Sequence, residues 1–322
     1  MNTKIIADVG SNWITTTDLF RSISAAKECG AHFVKFQAFT HADLYGYHKP
    51  FRVNERSQFE LDWIPALARK CKEVNIGFMC TAFNPDYVDL IDEYAPMHKV
   101  ASSDINYIPL LKKLADTKKK VLVSTGAADY TDIHNAIKII GDQKINLMYC
   151  VSEYPATEVD LTDIEVLKSV FGVKVGFSDH TTDIYNAPFF AKFYAKANFI
   201  EKHFTVIPEV DTPDRDHSLA PYDFLRMTQR LFARENHVED RRIYDKDMLE
   251  YHKRRCVAIE PIPKGSKFAY GKNFGFYRIK KEETWTPKVA DPIWPEDASA
   301  LKDSKAVLDI PVGRHICWND IE

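Results

Sequence analysis

No run of about 18 apolar residues occurs anywhere in the 322-residue chain, so no membrane-spanning helix is expected. The N-terminus also lacks the apolar run of a signal peptide; Met1 to Gly10 runs directly into a strand-like pattern. Charge of one sign is not in excess. The chain carries 43 Lys and Arg against 46 Asp and Glu, a net −3, and so lacks the basic surplus of a nucleic-acid binder. Cysteine is sparse and unpatterned. Cys29, Cys71, Cys80, Cys150, Cys256 and Cys317 contain no CxxC pair, which points to reduced thiols serving as small core residues and to a cytoplasmic location. Glycine is scarce where a dinucleotide-binding fold would need it. The first strand runs into Gly10-Ser11-Asn12-Trp13, not GxGxxG, which disfavours an open doubly wound sheet.

What is abundant is a rhythm. Apolar residues make up 45% of the chain, enough for one large domain plus a small one. Short β-branched or aromatic runs recur at 5–9, 33–37, 77–81, 98–102, 120–124, 146–151, 173–178 and 199–203. Helical spacing lies between them. Leu19, Ile23 and Ala26 fall on one face; so do Ile133, Ala136, Ile137 and Ile140, with Thr131 placed to cap that helix. A last helix is expected over 223–232. Strand alternating with helix implies parallel pairing with right-handed crossovers, and near-continuous apolar strands imply burial on both faces. Eight units in residues 1–235 match an α/β fold of the (β/α)8 TIM-barrel type. Residues 236–252 are charged and read as a helical or extended linker. Residues 253–322 read as a small β-rich domain, in which Ile262-Pro263-Lys264-Gly265 and Ile310-Pro311-Val312-Gly313 look alike.

A (β/α)8 barrel builds its active site at the C-terminal ends of its strands. The predicted ends carry Asp8; Lys35 and Gln37; Thr81; Lys99, Ser102, Ser103 and Asp104; Ser124, Thr125 and Gly126; Ser152 and Glu153; Ser178, Asp179 and His180; Glu201 and His203. Buried parallel strands should otherwise be apolar. Two lysines among hydroxyls suit an anion such as phosphate, because the ammonium supplies charge and the hydroxyls supply directed donors. Lys35 and Lys99 sit inside apolar runs, where a buried charge needs an anionic partner. His180 and His203, at neighbouring strand ends, suit a borderline divalent metal, with Asp179 and Glu201 as partners that orient the imidazoles.

These segments resemble the sialic acid synthases, the N-acetylneuraminate synthase family. The resemblance is carried by Ile6-Ala7-Asp8-Val9-Gly10-Ser11-Asn12, Val34-Lys35-Phe36-Gln37, Lys99-Val100-Ala101-Ser102, Ser124-Thr125-Gly126, Cys150-Val151-Ser152-Glu153-Tyr154-Pro155, Gly176-Phe177-Ser178-Asp179-His180-Thr181, Glu201-Lys202-His203-Phe204-Thr205 and Pro213-Asp214. The order and spacing of Ser-Asp-His-Thr and Glu-Lys-His-Phe-Thr is its most specific part. It implies a metal-dependent condensation of phosphoenolpyruvate with an N-acylmannosamine-like aldose, giving a nonulosonic acid and phosphate. His180 and His203 would bind Mn2+ or Mg2+. Lys35, Gln37, Thr81, Lys99, Ser102, Ser124, Ser152 and Ser178 would line the substrate site, and Glu201 and Asp214 would face the sugar or water at the metal. Asp8 and Asp104 stand where the family usually has glutamates near the reacting carbons, and Trp13 and Tyr149 also depart from its pattern. The resemblance further implies an antifreeze-like C-terminal domain, a domain-swapped homodimer, and Arg278 reaching a sugar pocket. Other readings are a phosphoenolpyruvate-dependent synthase using a different aldose, a Schiff-base aldolase, and a catalytically silent paralogue that binds ligand.

Overall fold

The eight apolar runs close on themselves. The computed structural model describes residues 3–45, 58–233, 254–277 and 292–322. Its first unit is a closed barrel of parallel strands in sequence order: β1 (Lys4–Asp8), β2 (Phe33–Ala38), β3 (Gly77–Ala82), β4 (Met97–Val100), β5 (Lys120–Ser124), β6 (Ile145–Tyr149), β7 (Lys174–Asp179) and β8 (Phe199–His203). β1 pairs with both β2 and β8, so that Asp8 lies beside Lys35 on one side and His203 on the other. Gln37 pairs with Thr81, Thr81 with Lys99, and Ser178 with Glu201. The register alone therefore gathers the polar strand ends at one end of the barrel.

Between strands run α1 (Thr16–Glu28), the short α2 (His41–Tyr45), α3 (Ile64–Glu73), α4 (Val88–Tyr94), α5 (Ile108–Asp116), α6 (Tyr130–Ile140), α7 (Thr162–Phe171), α8 (Asn186–Phe193) and α9 (Pro221–Ala233). Leu19, Ile23 and Ala26 of α1 are fully buried; hiding each of the two larger side chains contributes about 1.5–3 kcal/mol. α6 starts earlier than its sequence suggests. Asp129, not Thr131, is the N-cap: its carboxylate accepts from Asp132 N at 2.9 Å, and Asp132 accepts from Asp129 N at 3.2 Å. A carboxylate fits the positive end of the helix as well as the orphan N–H groups.

Two apolar layers result. One lies between barrel and helices. The other fills the barrel interior with Ile6, Met79, Leu122 and Met148. Gly176 of β7 belongs to the second layer by omission, since a Cβ there would fall 2.5 Å from the Met148 sulfur. Three strands stop short of their expected ends: β1 at Asp8, β4 at Val100 and β6 at Tyr149, with Ser102–Asp104 forming a 3-10 turn. Ser102 thereby leaves the β4 ladder and lines the barrel mouth, whereas Asp8 stays paired with Lys35 and His203.

The chain divides into units Met1–His237 and Val238–Glu322. In the second, β9 (Arg255–Ala258) pairs antiparallel with β10 (Phe274–Tyr277) over a core including Cys256, Ile262, Phe268, Phe274, Ile293, Leu301 and Ile316. The two look-alike segments pair with each other: Ile262 and Ile310 exchange both backbone hydrogen bonds at 2.9 Å. All six cysteines are buried thiols. The charged stretch 236–252 and Arg278 lie outside the described residues. Among the described residues no helix is long and apolar enough to cross a membrane.

Candidate active site

The mouth of the barrel holds a cavity of about 720 Å³. Its floor is charged. Lys35 Nζ donates to Asp8 Oδ2 at 2.7 Å and lies 3.7 Å from Glu201 Oε1. Lys99 Nζ donates to Ser124 Oγ at 2.8 Å and stands 3.5 Å from the same Glu201 oxygen, which also accepts from Ser178 Oγ at 2.9 Å. These four ionisable side chains are nearly inaccessible, none more than 4% exposed. Burial raises the Glu201 carboxyl, but the two ammonium groups outweigh it and hold the pKa below its usual value. Burial depresses Lys35 too, and Asp8 with Glu201 reverses the shift. For Lys99 burial wins, and its pKa is lowered. Lys99 thus shares its carboxylate, at 3.5 Å, with another lysine.

Around this floor stand the remaining expected residues. Gln37 donates to Asp8 Oδ2 at 3.2 Å, and Thr81 accepts from Lys35 at 3.4 Å. Ser102 and Ser152 hydroxyls lie 2.9 Å apart on the cavity wall. Asp104 also lines it; burial raises its pKa to about 6 against the opposing pull of Lys99. Every described residue expected to act in catalysis, substrate binding or metal ligation therefore borders one cavity.

The opposite wall is imidazole-rich. His180 Nδ1 lies 2.7 Å from the Val151 carbonyl. A carbonyl can only accept, so Nδ1 carries the proton and Nε2 keeps its lone pair. The His203 ring is 5.6 Å from that of His180 and 4.5 Å from that of His217. His203 Nδ1 and His217 Nε2 are buried without hydrogen-bond partners. They lie 3.8 and 3.7 Å from Asp214 oxygens, and donor atoms of His203, Asp214 and His217 sit within 4.8 Å of one another. Burial, then the neighbouring imidazoles, lowers His203 far below the usual histidine value and His217 to about 4. Neutral imidazoles beside a carboxylate, with orphaned buried nitrogens, are the donor chemistry a borderline divalent ion requires. The residues present fit such a metal.

His217 was not singled out in the sequence, because it lies past the last strand. What brings it back is local pairing. Thr205 N donates to Leu219 O and Leu219 N to His203 O. Asn12, fully buried, donates to Phe204 O and Ser218 Oγ and accepts from Thr212 Oγ1. Ser11 N donates to Asp214 Oδ2 at 2.7 Å. The segment after β1 therefore pins the loop after β8. Gly10, at φ +53°, makes that contact possible: a Cβ there would collide with Asp214 Oδ2 and lie 3.1 Å from His203 Nδ1. Tyr154, also not singled out by itself, stacks 4.3 Å from His180.

One expectation is corrected. Asp179 does not orient an imidazole. Strand alternation turns it to the outer face of the barrel, where it pairs with Lys202 at 2.9 Å, both side chains having no exposure. Lys202 also donates to the Thr181 carbonyl. Glu201, on the inner face, meets lysines and Ser178 instead.

Residues 22–242 match the model of the NeuB family. The chain belongs to the NeuB family. It is 32% identical to the N,N'-diacetyllegionaminic acid synthase of Campylobacter jejuni, over 84% of this chain and 88% of that protein. It is equally identical to the spore coat polysaccharide biosynthesis protein SpsE of Bacillus subtilis, over 98% of this chain and 93% of that one. Among solved structures it resembles the N-acetylneuraminic acid (sialic acid) synthetase of Leptospira borgpetersenii, with a TM-score of 0.69 and 28% identity, covering 78% of this chain and 91% of the other.

Proposed function

We propose that this NeuB-family chain condenses phosphoenolpyruvate with an N-acylmannosamine-like aldose, releasing phosphate and a nonulosonic acid. The observation that carries the reading is Lys99: a buried ammonium that shares the Glu201 carboxylate with Lys35 at 3.5 Å and donates to Ser124, in a cavity that Ser102 and Ser152 also line. An anion with several acceptor oxygens completes that arrangement, and phosphoenolpyruvate supplies both a carboxylate and a phosphate. The synthase names of the relatives support the same chemistry.

Lys35, Lys99, Thr81, Ser102, Ser124, Ser152 and Ser178 hold the anion, and Gln37 and Asp214 meet the sugar. C3 of phosphoenolpyruvate forms a bond to the aldehyde carbon while the aldehyde oxygen gains a proton. Positive charge builds at C2, water adds there, and the C2–O bond to phosphate breaks. Asp104, its pKa near 6, accepts the water proton at neutral pH. Glu201 and Asp8 keep Lys35 charged and directed inward. A divalent ion held by His203, Asp214, His217 and His180 would supply Lewis-acid polarisation of a carbonyl oxygen. The C-terminal unit is proposed as the antifreeze-like domain, with Arg278 reaching a partner's sugar pocket in a swapped dimer.

The test is phosphate release from phosphoenolpyruvate with Mn2+ over N-acetylmannosamine, mannose and diacetamido-trideoxyhexoses. Release with one sugar, abolished by chelator and by His203→Ala, is expected. Near-normal release by His203→Ala would overturn the metal role. Schiff-base trapping by borohydride with pyruvate would replace the reading by an aldolase. Release with no sugar, alongside phosphoenolpyruvate binding, would favour a silent paralogue.

A further inference from the structure

We infer that His217 is a metal ligand, a third imidazole beside His203 and His180, and that the resulting donor set selects nitrogen-preferring first-row ions over Mg2+. This rests on the proposed function only in placing a metal at the barrel mouth. The argument is geometric. His217 is 3% exposed and presents Nε2 inward with no hydrogen-bond partner. Its ring lies 4.5 Å from His203 and 6.3 Å from His180. Asp214 Oδ1, 3.7 Å from that nitrogen, is the nearest ionic partner. A buried nitrogen left unpaired destabilises the fold unless a ligand satisfies it. The fold holds it there through its neighbours: Ser218, next in sequence, donates to the Asp214 carbonyl and accepts from Asn12, and Leu219 is hydrogen-bonded back to His203.

Donor identity then decides metal identity. Mg2+ is small and hard, prefers six oxygens and gives up water reluctantly. Imidazole suits Zn2+, Co2+ and Fe2+, whose affinities for nitrogen sites exceed that of Mn2+. Two histidines leave room for oxygen donors and thus for Mg2+; three histidines and one carboxylate shift the balance towards the nitrogen-preferring ions.

The experiment uses the full-length protein stripped of metal with chelator. Mg2+, Mn2+, Co2+ and Zn2+ are titrated calorimetrically into wild type and His217→Gln, with circular dichroism as the folding check. Wild type is expected to bind Co2+ at least about 100-fold more tightly than Mg2+, and His217→Gln to lose about 10–100-fold for Co2+ while its Mg2+ affinity stays put. X-ray absorption on the Co2+ complex counts the imidazoles directly: three in wild type, two in the variant. A count of two in wild type overturns the inference without relying on any variant. So does unchanged Co2+ affinity in a folded His217→Gln. Phosphate release separates this from the proposed reaction. If wild type turns over with metal but His217 proves no ligand, the inference falls and the reaction stands. If three imidazoles are counted and no sugar supports turnover, the inference stands and the reaction falls.

Discussion

Gly10→Ala isolates how closely the loop after β8 is built onto the strand β1. The substitution acts twice. At φ +53° an alanine is held in the left-handed region, which costs about 1–2 kcal/mol. Its Cβ also occupies the place of Asp214 Oδ2, so the carboxylate must withdraw and surrender its 2.7 Å bond from Ser11 N, a charge-assisted bond worth about 1.5–3 kcal/mol. The two terms sum to roughly 3–5 kcal/mol, and for a unit of this size that lowers Tm on the order of 10 °C. Because Asp214 faces His203 and His217, a displacement of about 1 Å should also cut kcat/KM about 100-fold. Gly172→Ala is the matched control. Its φ is +67° but a Cβ there meets nothing within 4 Å, so it should lose only the strain energy, a few degrees at most, and keep its activity. Scanning calorimetry and phosphate release on both variants settle the matter. If Gly10→Ala is no less stable than Gly172→Ala, or turns over within about twofold of wild type, the close approach is not what holds Asp214 in place.

Two further perturbations follow from buried charge. Lys202→Met leaves the Asp179 carboxylate without its partner at zero exposure and should cost about 3–5 kcal/mol in denaturant unfolding, with much of it recovered in Lys202→Met/Asp179→Leu; strictly additive losses would mean the pair is not coupled. Asp104→Asn should make the protein more stable, in a pH-dependent way. Burial raises this carboxyl from 3.8 to about 6, so ionising it disfavours the folded state, and that cost appears as pH rises through this window. The variant's Tm should therefore exceed wild type above pH 6 and match it below 3.8, while turnover falls. Coincident Tm curves at pH 7.5 would refute the burial account.

The barrel was legible because its strands are apolar on both faces and its helices on one, a pattern that parallel closure makes almost obligatory. Leu19, Ile23 and Ala26 fell where the helical period put them. The cavity residues were legible for the opposite reason: a lysine inside Val34-Lys35-Phe36 breaks the apolar run, and the register brings that break level with Asp8, while Gln37 falls beside Thr81. One reading went astray at a place where identity and direction diverge, and one residue was missed. Asp179 is polar and adjacent to His180, so composition drew it into the site. Yet if Ser178 and His180 face inward, a period of two turns Asp179 outward, and its partner had to be Lys202, which alternates between Glu201 and His203 in the same way. The information was in the spacing. His217 is a different matter, since no period extends beyond β8. Its position depends on Asn12, more than two hundred residues earlier, whose amide fixes Phe204, Thr212 and Ser218 together. The expected pair of histidines therefore came from strands, which sequence periodicity can place, whereas the third came from a loop whose course is set by hydrogen bonds to a distant segment.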